Sequence, residues 1–129
     1  MIPKMLSFFR NQSKEVSVGH NPRPALEHPQ LDTVPLTAVL HALSDETRLS
    51  IVHVLRCEPA GRACGTFPVD VAPSTLSHHF KVLRDAGLIH QENRGTQRWT
   101  VLRATELDAR FPGFLDAVTT ATEVVTARP

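Results

Sequence analysis

Residues 73–102, PSTLSHHFKVLRDAGLIHQENRGTQRWTVL, constrain the fold more than any other stretch of the chain. At about 100° per residue, Leu76, Phe80 and Leu83 share one narrow helical face, and Ser74, Ser77, His78, Lys81 and Asp85 share the opposite one. Pro73 cannot continue a preceding helix, Ser74 and Thr75 suit the unpaired N–H groups of a first turn, and Gly87 suits the left-handed residue that ends a helix. Residues 88–93 and 97–102 alternate loosely and read as two strands joined through Arg94-Gly95-Thr96, with Arg94 and Arg98 beside the tip. A polar helical face with a single acid at its far end fits a major groove about 12 Å wide. A hairpin carrying two guanidinium groups fits phosphate or the adjacent minor groove. The pattern predicts a mainly α fold with a small β-hairpin (α+β), a winged helix-turn-helix.

The rest of the chain is read around that unit. Residues 1–31 hold Pro3, Pro22, Pro24 and Pro29 without a sustained period and read as a flexible N-terminal arm. Within it Met5, Leu6, Phe8 and Phe9 offer a short apolar turn for a partner subunit, and Lys4, Arg10, Lys14 and Arg23 offer charges for a DNA backbone or for solvent. Residues 32–127 read as one DNA-binding and dimerisation domain. Leu36, Val39, Leu40 and Leu43 form a helical stripe, with Asp32 or Thr33 as its cap and Pro35 in its first turn. A second helix follows, with Ser44 as N-cap, Asp45 and Glu46 at its positive end, and Leu49, Ile51, Val52, Val54 and Leu55 around much of its circumference. Arg48 in this helix suits an ion pair with Asp45 or a contact with DNA phosphate. Residues 63–69 predict a short helix, the first of the helix-turn-helix pair, and residues 69–72 the turn. Thr105 starts a further turn of helix with Asp108 in capping-box position, and a last helix runs from Pro112-Gly113 to about Thr126. Phe111, Phe114, Leu115, Val118, Ala121 and Val125 stripe this last helix. The first and last helices thus carry more apolar surface than one small core needs, which predicts a two-fold dimer with reading helices about one DNA turn apart.

Composition narrows the function classes. The 129 residues suit one domain with an extension, and 5% aromatic content predicts an aliphatic core. The net charge of +1 advertises no polyanion partner, so a DNA reading rests on where Arg and Lys are placed. No run approaches the ~20 apolar residues of a membrane span, and the first residues lack the cleavage pattern of a secretory signal. Two cysteines make no disulfide framework, so the expected compartment is the cytoplasm.

The runs HALSDETRLSIVHVL and STLSHHFKVLRDAGLIHQENRGTQRWTVL resemble the ArsR/SmtB type of bacterial winged-helix repressor, over residues 36–102. The resemblance implies a homodimer that binds operator DNA and represses transcription until an effector arrives. It places Ser74, Thr75, Ser77, His78 and Lys81 on the recognition helix and Arg94, Gly95, Gln97 and Arg98 in the wing. Many metal-sensing members carry a Cys-x-Cys just before the recognition helix, or Asp and His ligands on the last helix. Here six residues separate Cys57 from Cys64, and residues 106–128 contain no histidine or cysteine. A zinc site needs four N, S or O donors, so neither metal nor any other cofactor is expected.

Individual residues refine these expectations. Adjacent helical residues point about 100° apart, so His78 and His79 cannot chelate one ion together; His78 suits a base edge or phosphate, His79 a partly buried position. Cys57 and Cys64 suit two small semi-buried side chains, a reversible thiol switch, or a soft-metal site completed from outside. Trp99 reads as an anchor at the wing base, and Arg94 and Arg98, then Lys81, as phosphate contacts. The competing reading is a winged-helix interaction or thiol-redox module without specific DNA binding. An enzyme is disfavoured, because Ser77, His78 and Asp85 share one exposed face and no pocket, and neither a glycine-rich phosphate loop nor H-E-x-x-H occurs.

Overall fold

The computed structural model describes residues 24–126. The early turn at Met5, Leu6, Phe8 and Phe9, the charges Lys4, Arg10, Lys14 and Arg23, and the boundary at residue 127 lie outside them. Within the described residues the order is α1 (Leu36–Ala42), α2 (Glu46–Cys57), β1 (Arg62–Ala63), α3 (Pro73–Asp85), β2 (Ile89–Arg94), β3 (Gln97–Leu102), α4 (Ala104–Arg110) and α5 (Phe114–Thr126). Short 3-10 turns at Leu31–Thr33 and Cys64–Thr66 complete the path.

Helix α2 is the spine. Ile51, Val52 and Leu55 are fully buried and meet Phe80 and Leu83 of α3, Leu88 and Ile89 of β2, Leu107 of α4 and Leu115 of α5 in one cluster. The core is aliphatic apart from Phe67 and Phe80, whose rings meet edge-on at 5.2 Å. The α2 N-cap is Asp45 rather than the expected Ser44: Asp45 Oδ2 accepts the Arg48 N–H at 3.0 Å. Ser44 turns back instead and donates to the His41 carbonyl, closing α1. Helix α1 departs from its expected cap as well. Residues 31–33 form a separate turn that buries Leu31, and α1 begins only after Pro35. Its stripe is split, with Val39 and Leu43 inward and Leu36 and Leu40 exposed.

The expected helix over residues 63–69 does not form. Gly61, Gly65 and Pro68 leave room for only the three-residue turn Cys64–Thr66, and the chain before it adds a third strand. The sheet is antiparallel in the order β1-β3-β2, so the hairpin is one part of it. Arg62 and Ala63 pair with Thr100 and Trp99. In the hairpin, Ile89 faces Leu102, Gln91 faces Thr100 and Arg94 faces Gln97 across a two-residue turn in which Gly95 takes φ +63°. The end of α3 follows the expected pattern. Gly87 adopts φ +81°, its N–H reaches the Arg84 carbonyl, and the Leu88 N–H reaches the Leu83 carbonyl. The start differs, since Ala72 is the N-cap, makes no side-chain cap bond, and leaves Ser74 and Thr75 inside the first turn. Helix α4 likewise starts one residue earlier than Thr105 and has no side-chain cap. It is held by Arg103, which grips both Glu106 carboxylate oxygens at 2.8 and 2.9 Å.

Residues 24–31, placed in the arm by their prolines, are seated on the domain. The Asn93 amide donates to the Pro24 carbonyl, Arg103 to the Pro29 carbonyl, and Arg110 to the Leu31 carbonyl. The Gln91 backbone N–H donates to His28 Nε2, and the His28 ring stacks on His90 with centroids 4.2 Å apart.

Candidate nucleic-acid interface

Helix α3 buries His79, Phe80 and Leu83 and turns Ser74, Thr75, Ser77, His78 and Lys81 outward. The side chains of Ser74, Thr75, Ser77 and His78 are exposed and make no hydrogen bond among the described residues. Such a face has donors and acceptors to spare for base edges. Lys81 is also exposed and meets Asp85 one turn on, at 2.6 Å.

The hairpin stands beside this helix. Gly95 and Gln97 are exposed at the tip, with Arg94 and Arg98 on either strand. Arg94 donates to Glu92 at 2.7 Å and lies over the Trp99 ring at 4.6 Å. Arg98 meets only the Asn93 side-chain oxygen, at 3.3 Å, and has no carboxylate partner among the described residues. Trp99 anchors the wing base as expected, its indole N–H donating to the Ala60 carbonyl at 2.9 Å. A cleft of about 540 Å³ separates helix from wing, lined by Cys64, Leu76, Ser77, Lys81, Arg84 and Arg98.

Arg48, for which an acid or a phosphate was expected, serves neither with its side chain. It is buried, its Nε donates to the Ala42 carbonyl at 2.6 Å, and NH1 lies 3.0 Å from His79 Nδ1. The Arg48 backbone N–H, more than any side-chain charge, holds the Asp45 carboxyl below its ordinary value.

The two cysteines occupy different surroundings. Both are free; Cys57 is exposed at the end of α2, and Cys64 is half-buried. Burial pushes the Cys64 thiol up, against the opposing pull of hydrogen bonds from Thr100 and Gln91 and of the nearby Arg98 and Arg84 charges. No group of three or more His, Cys, Asp or Glu residues placed to hold a metal occurs among the described residues.

Sequence reasoning missed two residues at this site. Gln91, 2% exposed, sits at the centre of a polar cluster between α3 and the sheet. The strand alternation carried the signal, since Gln91 falls on the same inward face as Ile89. His28 was hidden in the proline-rich arm, and nothing local marks it.

Residues 43–92 match a family described as a helix-turn-helix domain. The chain is 33% identical over 82 residues to the uncharacterized HTH-type transcriptional regulator YceK of Bacillus subtilis (strain 168), a match spanning 62% of this chain and 82% of that protein. It is 34% identical over 76 residues to the arsenical resistance operon repressor of Staphylococcus aureus, covering 57% of this chain and 70% of that one. This chain is an ArsR-type winged helix-turn-helix regulator. A crystal structure of an ArsR family transcriptional regulator shares the fold, with a TM-score of 0.53 at 21% identity over 72% of this chain and 98% of that one. Membership makes the chain a DNA-binding transcriptional regulator rather than an enzyme. No helix among the described residues is long and apolar enough to cross a membrane.

Proposed function

We propose that this ArsR-type regulator is a cytoplasmic homodimer that represses transcription by binding an operator in a sequence-specific way. Helix α3 enters the major groove through Ser74, Thr75, Ser77 and His78, Lys81 meets backbone, and the wing meets phosphate through Arg94 and Arg98 with Gly95 and Gln97 at its tip. The observation that carries this reading is that exposed Ser74, Thr75, Ser77 and His78 have no hydrogen-bond partner among the described residues, set beside a wing arginine with no carboxylate. The dimer reading rests on Leu36 and Leu40, 42% and 48% exposed on α1, together with the half-buried Phe114 and Val118 of α5. Release follows binding of an effector, or oxidation in which the Cys57 and Cys64 thiols surrender two protons and two electrons to a diazene oxidant such as diamide and form one disulfide.

The test begins with operator selection from a random duplex library. Ser77→Ala combined with His78→Ala should reduce affinity for the selected site to that for random duplex while the circular dichroism spectrum is retained. Unchanged operator affinity would refute the assignment of α3. Leu40→Glu should convert a dimer to a monomer in sedimentation velocity, and a wild-type chain that sediments as a monomer removes the two-fold reading.

A further inference from the structure

Gln91 is the largest fully buried polar side chain among the described residues, and the reading of α3 and the wing leaves it unused. Its Oε1 accepts from Arg84 NH1 at 2.6 Å, and its Nε2 donates to Cys64 Sγ at 3.0 Å and to Thr100 Oγ1 at 3.0 Å. Its backbone N–H is held by His28. The side-chain amide therefore ties three segments together, the last turn of α3, the turn that precedes α3 and the central strand β3, and the backbone of the same residue holds the chain before α1.

The orientation of that amide is fixed by chemistry. A guanidinium only donates, so the oxygen must face Arg84 and the NH2 must face the thiol and hydroxyl. A flipped amide would set donor against donor inside the protein, where an unmade bond is costly. We propose that Gln91 is a positioning residue that sets the angle between the recognition helix and the wing, and thereby the sequence selectivity of the regulator.

The lever arm makes this effective. Arg84 lies ten residues from Ser74 on α3, about 15 Å at ~1.5 Å per residue. Apolar contacts through Leu76, Phe80 and Leu83 hold the helix down but tolerate rotation better than directed bonds do. A tilt of about 10° at the Arg84 end moves Ser74 by roughly 2.6 Å, enough to break a hydrogen bond to a base edge. Phosphate contacts from long Lys and Arg side chains follow such a shift, so random-duplex binding persists.

This inference rests on the reading of α3 as the recognition helix, and the test keeps the two separable. Gln91→Met preserves shape and removes every side-chain bond. Gln91→Glu keeps an acceptor toward Arg84 and lets the Thr100 hydroxyl and Cys64 thiol turn to donate. Arg84→Met removes the other end of the link from a half-buried position and covers the case in which Gln91→Met fails to fold. Kd is measured for selected operator and for random duplex at one salt concentration, and relaxation dispersion is measured on α3 backbone amides without DNA. Gln91→Met and Arg84→Met should each lose at least ~10-fold on the operator and no more than ~2-fold on random duplex, with new microsecond–millisecond exchange over residues 74–85. Gln91→Glu should stay within ~3-fold of wild type on both duplexes and show no such exchange. A folded Gln91→Met or Arg84→Met protein with quiet α3 amides overturns the inference whatever its DNA binding. Equal losses on both duplexes also overturn it, as a merely structural role would give. Wild-type protein without operator preference refutes the recognition-helix reading instead, and the amide dynamics still decide whether Gln91 fixes the helix.

Discussion

Acid should loosen the domain through His28 before it reaches the Asp45 and Glu106 carboxyls, both held below their ordinary values. His28 Nε2 accepts the Gln91 N–H at 3.0 Å, so the neutral ring must carry its proton on Nδ1. Protonation would turn Nε2 into a donor facing a donor. Partial burial, then the stacked His90, then the Arg103 and Arg84 guanidiniums lower the His28 pKa from 6.5 to about 4, while the Leu26 backbone pulls the other way. Of the acids facing this cluster, Glu106 is already engaged by Nε and NH2 of Arg103, and Glu92, 4.0 Å from His90 Nε2, is engaged by Arg94. Between pH 6.5 and 4 the unfolded chain holds a proton on this histidine that the folded chain refuses, so stability rises with pH across that window. His28 therefore contributes fully above pH 6.5, and the contribution fades as pH falls toward 4. A ring sealed from water would give about 3.4 kcal/mol at ~1.36 kcal/mol per pH unit. This ring is half-buried, and solvent screening brings the figure to about 1–2 kcal/mol. Urea unfolding of wild type and His28→Ala, run from pH 7.5 to pH 4, isolates the effect as the difference between the two curves. That difference should shrink by about 1–2 kcal/mol on acidification. A flat difference, or an imidazole resonance of His28 that titrates near 6.5, would refute the reasoning.

Further outcomes follow from the same contacts. Gly87→Ala sets a Cβ in the left-handed region and 2.5 Å from Leu31 Cδ2, so denaturant unfolding should show a loss of about 2 kcal/mol or more, and a loss below about 0.5 kcal/mol would count against it. At pH 7.5 iodoacetamide should alkylate exposed Cys57 at least ~10-fold faster than Cys64, whose thiol is half-buried and shifted upward; equal rates in peptide mass spectrometry would contradict this. Arg98→Ala should lower the slope of log K against log salt by about 0.9 on any duplex, and an unchanged slope removes Arg98 from the phosphate contacts. Glu92→Gln frees Arg94 from its exposed ion pair and should tighten binding to random and selected duplex alike by roughly 2- to 5-fold at low salt, with no change in their ratio. Unaltered affinity would place Arg94 away from DNA.

The parts of this fold that the sequence announces are those in which one period runs long enough to outweigh its neighbours. Helix α3 is such a part, because Leu76, Phe80 and Leu83 recur at helical spacing and Gly87 closes the end in a motif only glycine adopts cheaply. The hairpin is legible for the same reason, with Gly95 at its turn. Where two cap residues compete, tertiary contacts decide. Ser44 and Asp45 are both good N-caps by composition, yet Asp45 takes the role beside the Arg48–His79 cluster and Ser44 finishes the preceding helix. Strand β1 is two residues long and exists through its pairing with Thr100 and Trp99, so no local pattern encodes it. The seating of residues 24–31 depends on contacts with Gln91, Asn93, Arg103 and Arg110 far along the chain, which proline content conceals. Of the site itself, the outward face of α3 was readable from helical geometry, whereas the work of Gln91 required knowing that an inward strand position meets Arg84.

The near-neutral charge, which weighs against a nucleic-acid partner when read as a total, has a physical explanation in how the cations are used. Arg48 binds the Ala42 carbonyl, Arg110 the Leu31 and Val34 carbonyls, Arg103 the Pro29 carbonyl and Glu106, and Arg56 pairs with Asp116. These guanidiniums are fasteners of the fold, and with them go two of the acids that balance the total. On the α3 and wing side, Lys81 and Arg94 are held by Asp85 and Glu92 in exposed pairs worth no more than about 1 kcal/mol each, which a phosphate can displace. Displacement leaves a carboxylate to be screened, so each such contact gains less from counterion release than an unpaired cation would. Binding to arbitrary duplex should consequently be weak, and under the proposed reading of α3 discrimination would fall to the short uncharged side chains Ser74, Thr75 and Ser77 and to His78. Short side chains cannot swing to correct a misplaced backbone. A reader built from them demands a rigidly oriented helix, and that demand is what the enclosed Arg84–Gln91–Thr100 bonds are placed to meet.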